Sequence, residues 1–244
     1  MQRMKNILRL LAFFTSAFAL QACSNTYSAK AIEAWVVDAE TKKPLEGVIV
    51  VAHWELRYGL EGGGAYQLHV METVTDKDGR FYFPEWGPKK IPEHLPKEAR
   101  LKTKDPGLGI YYPKYNAVTL ENERSMKLIG GHGDSTRTSD WNGKTIGMKP
   151  SGSGVRIGEN IFIDGNRENV VFIRSLQSAL HFVGNHRGGC EWVQIPRMVA
   201  AQINERTRLQ KSGNRELSDA WELHTFEREY QCGSAAEILK AYLK

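Results

Sequence analysis

The sequence predicts a mainly β fold, a β-sandwich, followed by a small α-helical segment at the C-terminus. Two changes of pattern lead to this prediction. Between Ile32 and Phe83 apolar residues alternate with polar ones, which is the period of strands, and turn residues separate the runs. After a Gly- and Ser-rich stretch over 151–158, apolar residues recur at the period of a helix. The 244 residues, 41% of them hydrophobic, suffice for one sizeable core or two small ones.

The net charge argues against a nucleic-acid partner. The formal charge is +5 at pH 7, but Arg3, Lys5 and Arg9 lie in an N-terminal segment that we expect to be cleaved. Without these residues, Lys and Arg exceed Asp and Glu by only two. A nearly neutral mature protein lacks the basic surface that binding to a phosphate backbone requires.

Residues 1–22 have the pattern of a secretory signal peptide. A basic start precedes the apolar run Leu10–Leu20, and small residues follow it. A permanent membrane-spanning helix needs about 20 apolar residues, so this run is too short to be one. The pattern therefore predicts export and removal of the segment.

The end of this segment, Leu20-Gln21-Ala22-Cys23, resembles the lipobox of bacterial lipoproteins. The resemblance implies that the Cys23 thiol is joined to diacylglycerol and that Cys23 becomes the mature N-terminus. Several acyl chains give a stable membrane anchor where one chain binds marginally. Ser24 is not the aspartate that retains such proteins in the inner membrane, so the expected location is the outer membrane, facing the periplasm.

A β-domain is predicted over 31–150, after a tether over 23–30. Ile32–Asp38 forms the first expected strand and Leu45–Trp54 the second, with Val48, Val50, Ala52 and Trp54 on one face. A glycine-rich hairpin follows, then an alternating run from Tyr66 to Val74, the turn Asp76-Lys77-Asp78-Gly79 and a short strand at 81–83. Short strands at this spacing are typical of a sandwich.

The segments V-V-D-A-E-T-K-K-P-L-E-G-V-I-V (36–50) and T-D-K-D-G-R-F-Y-F (75–83) resemble the carboxypeptidase regulatory-like domain. That family is a transthyretin-like sandwich, also grouped with carbohydrate-binding-like folds. Gly47 stands where the family has the glycine that opens its second strand. The resemblance spans about 31–150, with an insertion at 84–100 and a polar loop near 130–142. It implies a fold and no particular activity.

The C-terminal part is divided into a linker over 151–165 and a helical segment over 166–244. An apolar stripe from Val170 to Val183 predicts a first helix, and Pro196 suits the first turn of a second. Leu217, Trp221 and His224 suggest a third helix, and a capping box from Ser234 to Glu237 opens a fourth. The stripes are narrow, so these helices are expected to pack on the sandwich or on each other.

Two histidine–glutamate pairs have the spacing of zinc ligands. His69 and Glu72 lie in an expected strand, where residues three apart point to opposite faces. His224 and Glu227 suit one helix face, but no third ligand follows at a recognisable spacing. No metal site and no cofactor are therefore predicted. The Asp76/Asp78 pair fits a hairpin turn better than a calcium loop, because Gly79 comes too early.

The aromatic residues around the first hairpin are the candidate ligand-binding residues: Trp54, Tyr58, Tyr66 and Trp86. Exposed aromatic rings stack on sugar faces. The alternative for Trp54 is a core position, since it shares the apolar face of its strand. Tyr58 is the ring expected in solvent.

Cys190 and Cys232 are predicted to form a disulfide. With Cys23 joined to lipid, an even pair of cysteines remains in an oxidising compartment. Both lie at the ends of expected helices, where the backbone can adjust to the geometry of the bridge.

Taken as a whole, the sequence favours a non-catalytic envelope lipoprotein that acts as an interaction or structural module. Its expected partners are the membrane, through the lipid anchor, and an envelope protein or a glycan. A carbohydrate- or peptidoglycan-binding lipoprotein is the alternative. A metal-dependent hydrolase that uses His224 and Glu227 is a third hypothesis.

Overall fold

The computed structural model of the protein describes residues 26–60, 63–123, 136–151, 155–157, 161–163, 190–211 and 232–243. The strands, in chain order, are β1 (Thr26–Ala29), β2 (Ile32–Asp38), β3 (Ile49–Tyr58), β4 (Gly64–Val74), β5 (Arg80–Phe83), β6 (Trp86–Lys90), β7 (Arg100–Leu101), β8 (Gly107–Tyr111), β9 (Val118–Leu120), β10 (Thr136–Arg137), β11 (Thr145–Met148), β12 (Val155–Ile157) and β13 (Ile161–Ile163). The helices are a short 3₁₀ helix (Glu191–Gln194), α1 (Pro196–Lys211) and α2 (Ala235–Leu239).

Two layers of strands enclose the main core. One sheet has the order β4-β3-β8-β9, with β7 also paired to β3. The other layer has the orders β11-β2-β5 and β10-β1-β6. The mainly β fold with a small C-terminal helical part is therefore confirmed. The largest fully buried side chains of this core are Trp54, Phe81, Phe83, Ile32, Leu56, Leu68, Leu108, Ile110 and Met148.

The long strand β3 is covered on both faces. Val48 and the even-numbered residues Val50, Ala52 and Trp54 enter the main core, as the alternation predicts, and all are fully buried. Val51 points to the opposite face and is buried under the helices. This double burial explains why the sequence over 48–52 is continuously apolar.

The second predicted strand begins later and ends later than expected. Residues 45–48 form a turn, in which Gly47 has φ +78° and its N–H donates to the Thr75 carbonyl at 3.0 Å. Only glycine adopts this conformation without strain, which explains the residue at this position. The strand then continues to Tyr58, because β4 pairs with it along its whole length across a bulge at Trp54/Glu55.

The turn between β4 and β5 is held by Asp76, as predicted for a hairpin. Its Oδ1 accepts the N–H groups of Asp78 at 3.0 Å and Arg80 at 2.9 Å. Gly79 has φ +72°, and a side chain there would overlap the Val36 carbonyl oxygen. The carboxylate is therefore used to close the turn.

Three segments for which no strand was predicted contain short strands. The expected tether over 23–30 contains β1, whose Tyr27 and Ala29 are buried in the core because they pair with β6. The insertion at 84–100 contains β6 and the first residue of β7. Within the expected linker over 151–165, β12 and β13 pair antiparallel. Short polar segments were predicted as connections because strands this short show little periodicity.

The helices pack on the outer face of the β3–β4–β8 sheet, and not on each other alone. Trp192, Met198, Val199 and Leu239 are buried against Val51 and other apolar residues of this face. Both predicted helix starts are confirmed: Pro196 begins α1, and the Ser234 hydroxyl accepts the Glu237 N–H at 3.3 Å at the start of α2. The helices predicted at 170–183 and around Leu217–His224 lie outside the described residues.

Candidate functional site

The outer face of the large sheet carries most of the buried polar groups near the helices. Register places the odd-numbered residues of β3 on this face, with Glu72, Val70 and Gln67 opposite them on β4. Strand β8 adds Gly107, Gly109 and Tyr111. One half of the face lies under α1, and the other half carries a separate polar cluster.

Glu72 holds the N-terminus of α1. Its two carboxylate oxygens accept the N–H groups of Arg197, at 3.1 Å, and Met198, at 2.7 Å. These are orphan donors of the first helical turn, and a negative charge is favoured there. The side chain is only 3% exposed. Burial raises the pKa of the Glu72 carboxyl, although the two N–H groups and the Arg197 guanidinium act in the opposite direction.

We expect Glu72→Ala to lower the free energy of unfolding by roughly 1–3 kcal/mol, because two donors lose their acceptors in a buried place. Glu72→Gln is the matched control, since the amide oxygen still accepts one N–H and no charge is buried. The loss of stability in Glu72→Gln should be smaller than in Glu72→Ala, and urea unfolding of both variants measures the difference. Equal losses for the two variants would show that the carboxylate does not cap the helix.

A second contact joins the sheet to the middle of α1. The Tyr111 hydroxyl donates to Glu205 Oε2 at 3.0 Å, and Arg208 Nε donates to the same oxygen at 2.9 Å. Burial, and then the negative charge of Glu205, raises the pKa of Tyr111. The phenol therefore keeps its proton and acts as a hydrogen-bond donor.

A cleft of about 450 Å³ lies along this contact, between the sheet edge, α1 and the residues after α2. Ile49, Val74 and Ala201 are among its apolar walls. The polar groups that line it are Arg197, Asn204, Glu205 and Arg208. Clefts of this size with mostly apolar walls and few polar groups are typical of binding sites.

The residues after α2 close one side of the cleft. The Arg197 guanidinium lies over the Tyr242 ring, 5.1 Å from its centroid, and Asn204 Nδ2 donates to the Tyr242 carbonyl at 3.1 Å. Arg197 also pairs with Glu72 at 3.7 Å. The same arginine therefore links the sheet, α1 and the C-terminal segment.

The other half of the outer face carries His53, Glu55, Gln67 and Asp105. The Glu55 N–H donates to Asp105 Oδ2 at 2.7 Å. Burial raises the pKa of Asp105 well above its usual range and lowers that of His53, so both shifts favour uncharged forms. Asp105 is 1% exposed. A solute cannot reach this carboxyl. We therefore assign Asp105 a structural role, in which it holds the residues that precede β8 against β3.

The predicted zinc pair is separated, as the strand period requires. His69 lies on the core side, next to the rings of Trp54 and Trp86, at centroid distances of 5.8 and 4.8 Å. Burial and the neighbouring Lys89 lower the pKa of His69 to about 4. Glu72 lies on the other face, bound to α1. His224 and Glu227 lie outside the described residues, and within those residues no group of three metal-ligating side chains occurs.

The aromatic rim predicted as a ligand platform is not an open surface. Trp54 is fully buried and packs edge-on against Trp86 at 5.2 Å, so its assignment as a ligand-binding residue is wrong and the core alternative is right. Tyr58, expected in solvent, is half-buried against the core. Tyr66 and Trp86 are also half-buried.

The predicted disulfide is present. Cys190 and Cys232 are joined with a Cα–Cα distance of 5.6 Å, within the usual range. Cys190 immediately precedes the 3₁₀ helix, and Cys232 lies two residues before Ser234. The bridge therefore connects the starts of the two helical pieces. Cys23 and the signal segment 1–22 lie outside the described residues, and no helix in the described part is long and apolar enough to cross a membrane.

Comparison with known proteins adds little. No family model and no curated protein matches the chain. A 3-chlorocatechol 1,2-dioxygenase from Rhodococcus opacus 1CP is 18% identical over 41% of this chain and 45% of its own, with a TM-score of 0.27. The dioxygenase domain of a carbohydrate-binding fusion protein from Streptomyces sp. SirexAA-E is 13% identical over 53% of this chain and 83% of its own, with a TM-score of 0.26. The chain thus spans less than half of the first protein's length. TM-scores this low do not show a shared fold or function.

Proposed function

We propose that the protein is a lipid-anchored envelope protein whose sandwich and helical layer form an interaction module without catalysis of its own. The observation that carries this proposal is the cleft between the large sheet and α1. Its polar groups are already paired: Glu205 with Tyr111 and Arg208, and Arg197 with Glu72 and Tyr242. Such groups offer a fixed pattern of charge and hydrogen bonds to a partner.

The composition of the cleft suits a segment of another protein. Arginine and tyrosine are the residues that most often anchor protein interfaces, and Arg197, Arg208 and Tyr242 all line the cleft. Val74, at its margin, is 38% exposed and apolar. The preferred partner is therefore an extended segment of an envelope protein with apolar side chains.

Site-specific photo-crosslinking in intact bacterial envelopes tests this proposal. A photoreactive phenylalanine at position 74 should give one major protein adduct. The matched control is position 82, because Tyr82 is likewise an exposed apolar residue, at 47%, on the other layer of the sandwich. Equal adducts at both positions, or none at position 74, would contradict the proposed surface. Glycan adducts at position 74 would favour the carbohydrate- or peptidoglycan-binding alternative.

The lipid anchor is a separate part of the proposal, supported by the resemblance of residues 20–23 to a lipobox. We expect Cys23→Ser to leave the precursor uncleaved and to abolish incorporation of labelled lipid, because serine cannot form the thioether. Gel mobility and labelling in growing cells measure both effects. A mature N-terminus other than residue 23 would show that the anchor is misassigned.

The hydrolase hypothesis is tested by metal analysis of the purified, oxidised protein. The interaction module needs no metal, so we expect substoichiometric zinc and the same thermal stability with and without a chelator. Zinc at one equivalent, lost in His224→Ala, would instead support the hydrolase.

A further inference from the structure

The first strand begins very close to the expected lipid anchor. Thr26 and Tyr27 of β1 pair with Lys90 and Lys89 of β6. Tyr27 and Ala29 are buried in the main core, so β1 is a fixed part of the sandwich. The described part of the sandwich therefore begins at Thr26.

The distance from this end to Cys23 is short. Only three peptide units separate Cys23 from Thr26, and they span at most roughly 11 Å when fully extended. The polar head-group layer on one side of a bilayer is roughly 5–8 Å thick. If the anchor stands as proposed above, the surface around Thr26 must lie at the head groups.

The surface at this end consists of residues 89–97, which we term the Lys90 surface. Lys89 and Lys90 are both exposed. Partial burial lowers the pKa of Lys89, and the negative charge of the neighbouring Glu191 acts in the opposite direction. Lys89, Lys90 and Lys97 outnumber the acidic residues of this surface, Glu93 and the neighbouring Glu191, by one charge. An open groove of about 370 Å³ lies there, with Ile91, Pro92, Leu95 and Pro96 in its lining.

The loop that forms this surface is held in shape. Arg100 donates to the carbonyl oxygens of Lys97, at 2.6 Å, and Ala99, at 2.7 Å. Leu95 is buried in the main core and fixes the middle of the loop. A basic surface with apolar groups between the charges is the composition of segments that lie in a membrane interface.

We propose that the Lys90 surface docks on the membrane that holds the anchor and binds the phosphate groups of anionic phospholipids. This inference rests on the proposed lipidation of Cys23. The occupant follows from the short connection and from the charge, since each lysine near an anionic surface contributes about fivefold in binding. Docking would hold the sandwich in one orientation and not leave it free on a tether.

The pairing pattern also supplies a matched control position. β1 pairs with β6 from Thr26–Lys90 to Ala29–Trp86, and β2 then pairs with β5 from Ile32–Phe83 to Trp35–Arg80, so Lys77 lies in the turn beyond the end of the second pairing that is remote from Thr26. Lys42 and Lys43, in the turn after β2, form a second exposed lysine pair at that end.

The experiment uses the mature lipoprotein in vesicles, with a fluorophore on a single cysteine introduced as Glu93→Cys or Lys77→Cys. When 30% of the phospholipid is phosphatidylglycerol, spin-labelled head groups should quench the fluorophore at position 93 and not the fluorophore at position 77. Lys89→Gln with Lys90→Gln should lower the docking equilibrium about 25-fold. Lys42→Gln with Lys43→Gln should leave it unchanged.

Each outcome decides a different statement. Docking is overturned, and the anchor stands, if the two positions are quenched equally. The same holds if quenching at position 93 depends neither on phosphatidylglycerol nor on the substitutions at Lys89 and Lys90. Mass spectrometry of the same sample checks the N-terminus. An unacylated Cys23 in protein that fails to float with the vesicles overturns the anchor proposal and the docking proposal together.

Discussion

Replacement of both Cys190 and Cys232 by alanine is expected to lower the free energy of unfolding by about 4 kcal/mol. The bridge spans 42 positions, and closing a loop of that length restricts the unfolded chain strongly. In the folded protein it connects the starts of the helical pieces that cover the large sheet. The loss of stability should therefore be concentrated in the helical layer, which has the smaller of the two cores that the described residues form.

Urea unfolding of the oxidised protein and of the double variant measures this effect. The oxidised protein treated with a reductant is the matched control, since it should unfold at the same urea concentration as the variant. A difference below about 1 kcal/mol between variant and oxidised protein would contradict the expectation. So would free thiols at both positions in native, oxidised protein.

The second large effect is expected at Trp54. Trp54→Ala removes a fully buried indole from the contact of Trp86 and His69 and should cost about 3–5 kcal/mol. The indole Nε1 has no hydrogen-bond partner among the described residues. Trp54→Phe should therefore cost less than about 1.5 kcal/mol, because it retains most of the volume and removes a buried, unsatisfied donor.

Thermal unfolding followed by circular dichroism separates these two variants. Glycan binding by Trp54→Phe supplies a further test of the aromatic platform. If Trp54→Phe loses glycan binding but keeps its stability, Trp54 is a ligand-binding residue after all. Unchanged binding, with a large loss of stability only in Trp54→Ala, is the result that the buried position predicts.

Part of this architecture could be predicted from local pattern alone. Strand β2 has the predicted bounds because Ile32, Ala34 and Val36 alternate into one core. The starts of α1 and α2 were predictable because Pro196 and Ser234 act through their own first turns. The disulfide was predicted from the expected oxidising compartment and from the number of cysteines.

The rest depended on distant partners that one sequence does not reveal. The strand period separates Glu72 from His69, but nothing near Glu72 indicates that it caps a helix 125 positions later. Strand alternation places Trp54 on the core side, yet only the packing of Trp86 decides that no part of it is accessible. The Glu205–Arg208 spacing on α1 is visible in the sequence, while its contact with Tyr111 is not.

The parallel pairing of β2 with β11 has a consequence for how the chain folds. Val36 lies opposite Ile146, 110 positions later, and Ser28 lies opposite Thr136. Contacts this far apart in sequence slow folding, because a long loop must close before they form. Until β10 and β11 have been synthesised, β1 and β2 present unpaired edges that can add strands from other chains. Completion of the sandwich is therefore expected to be a late and slow step, and the interval before it is when the chain is most exposed to aggregation.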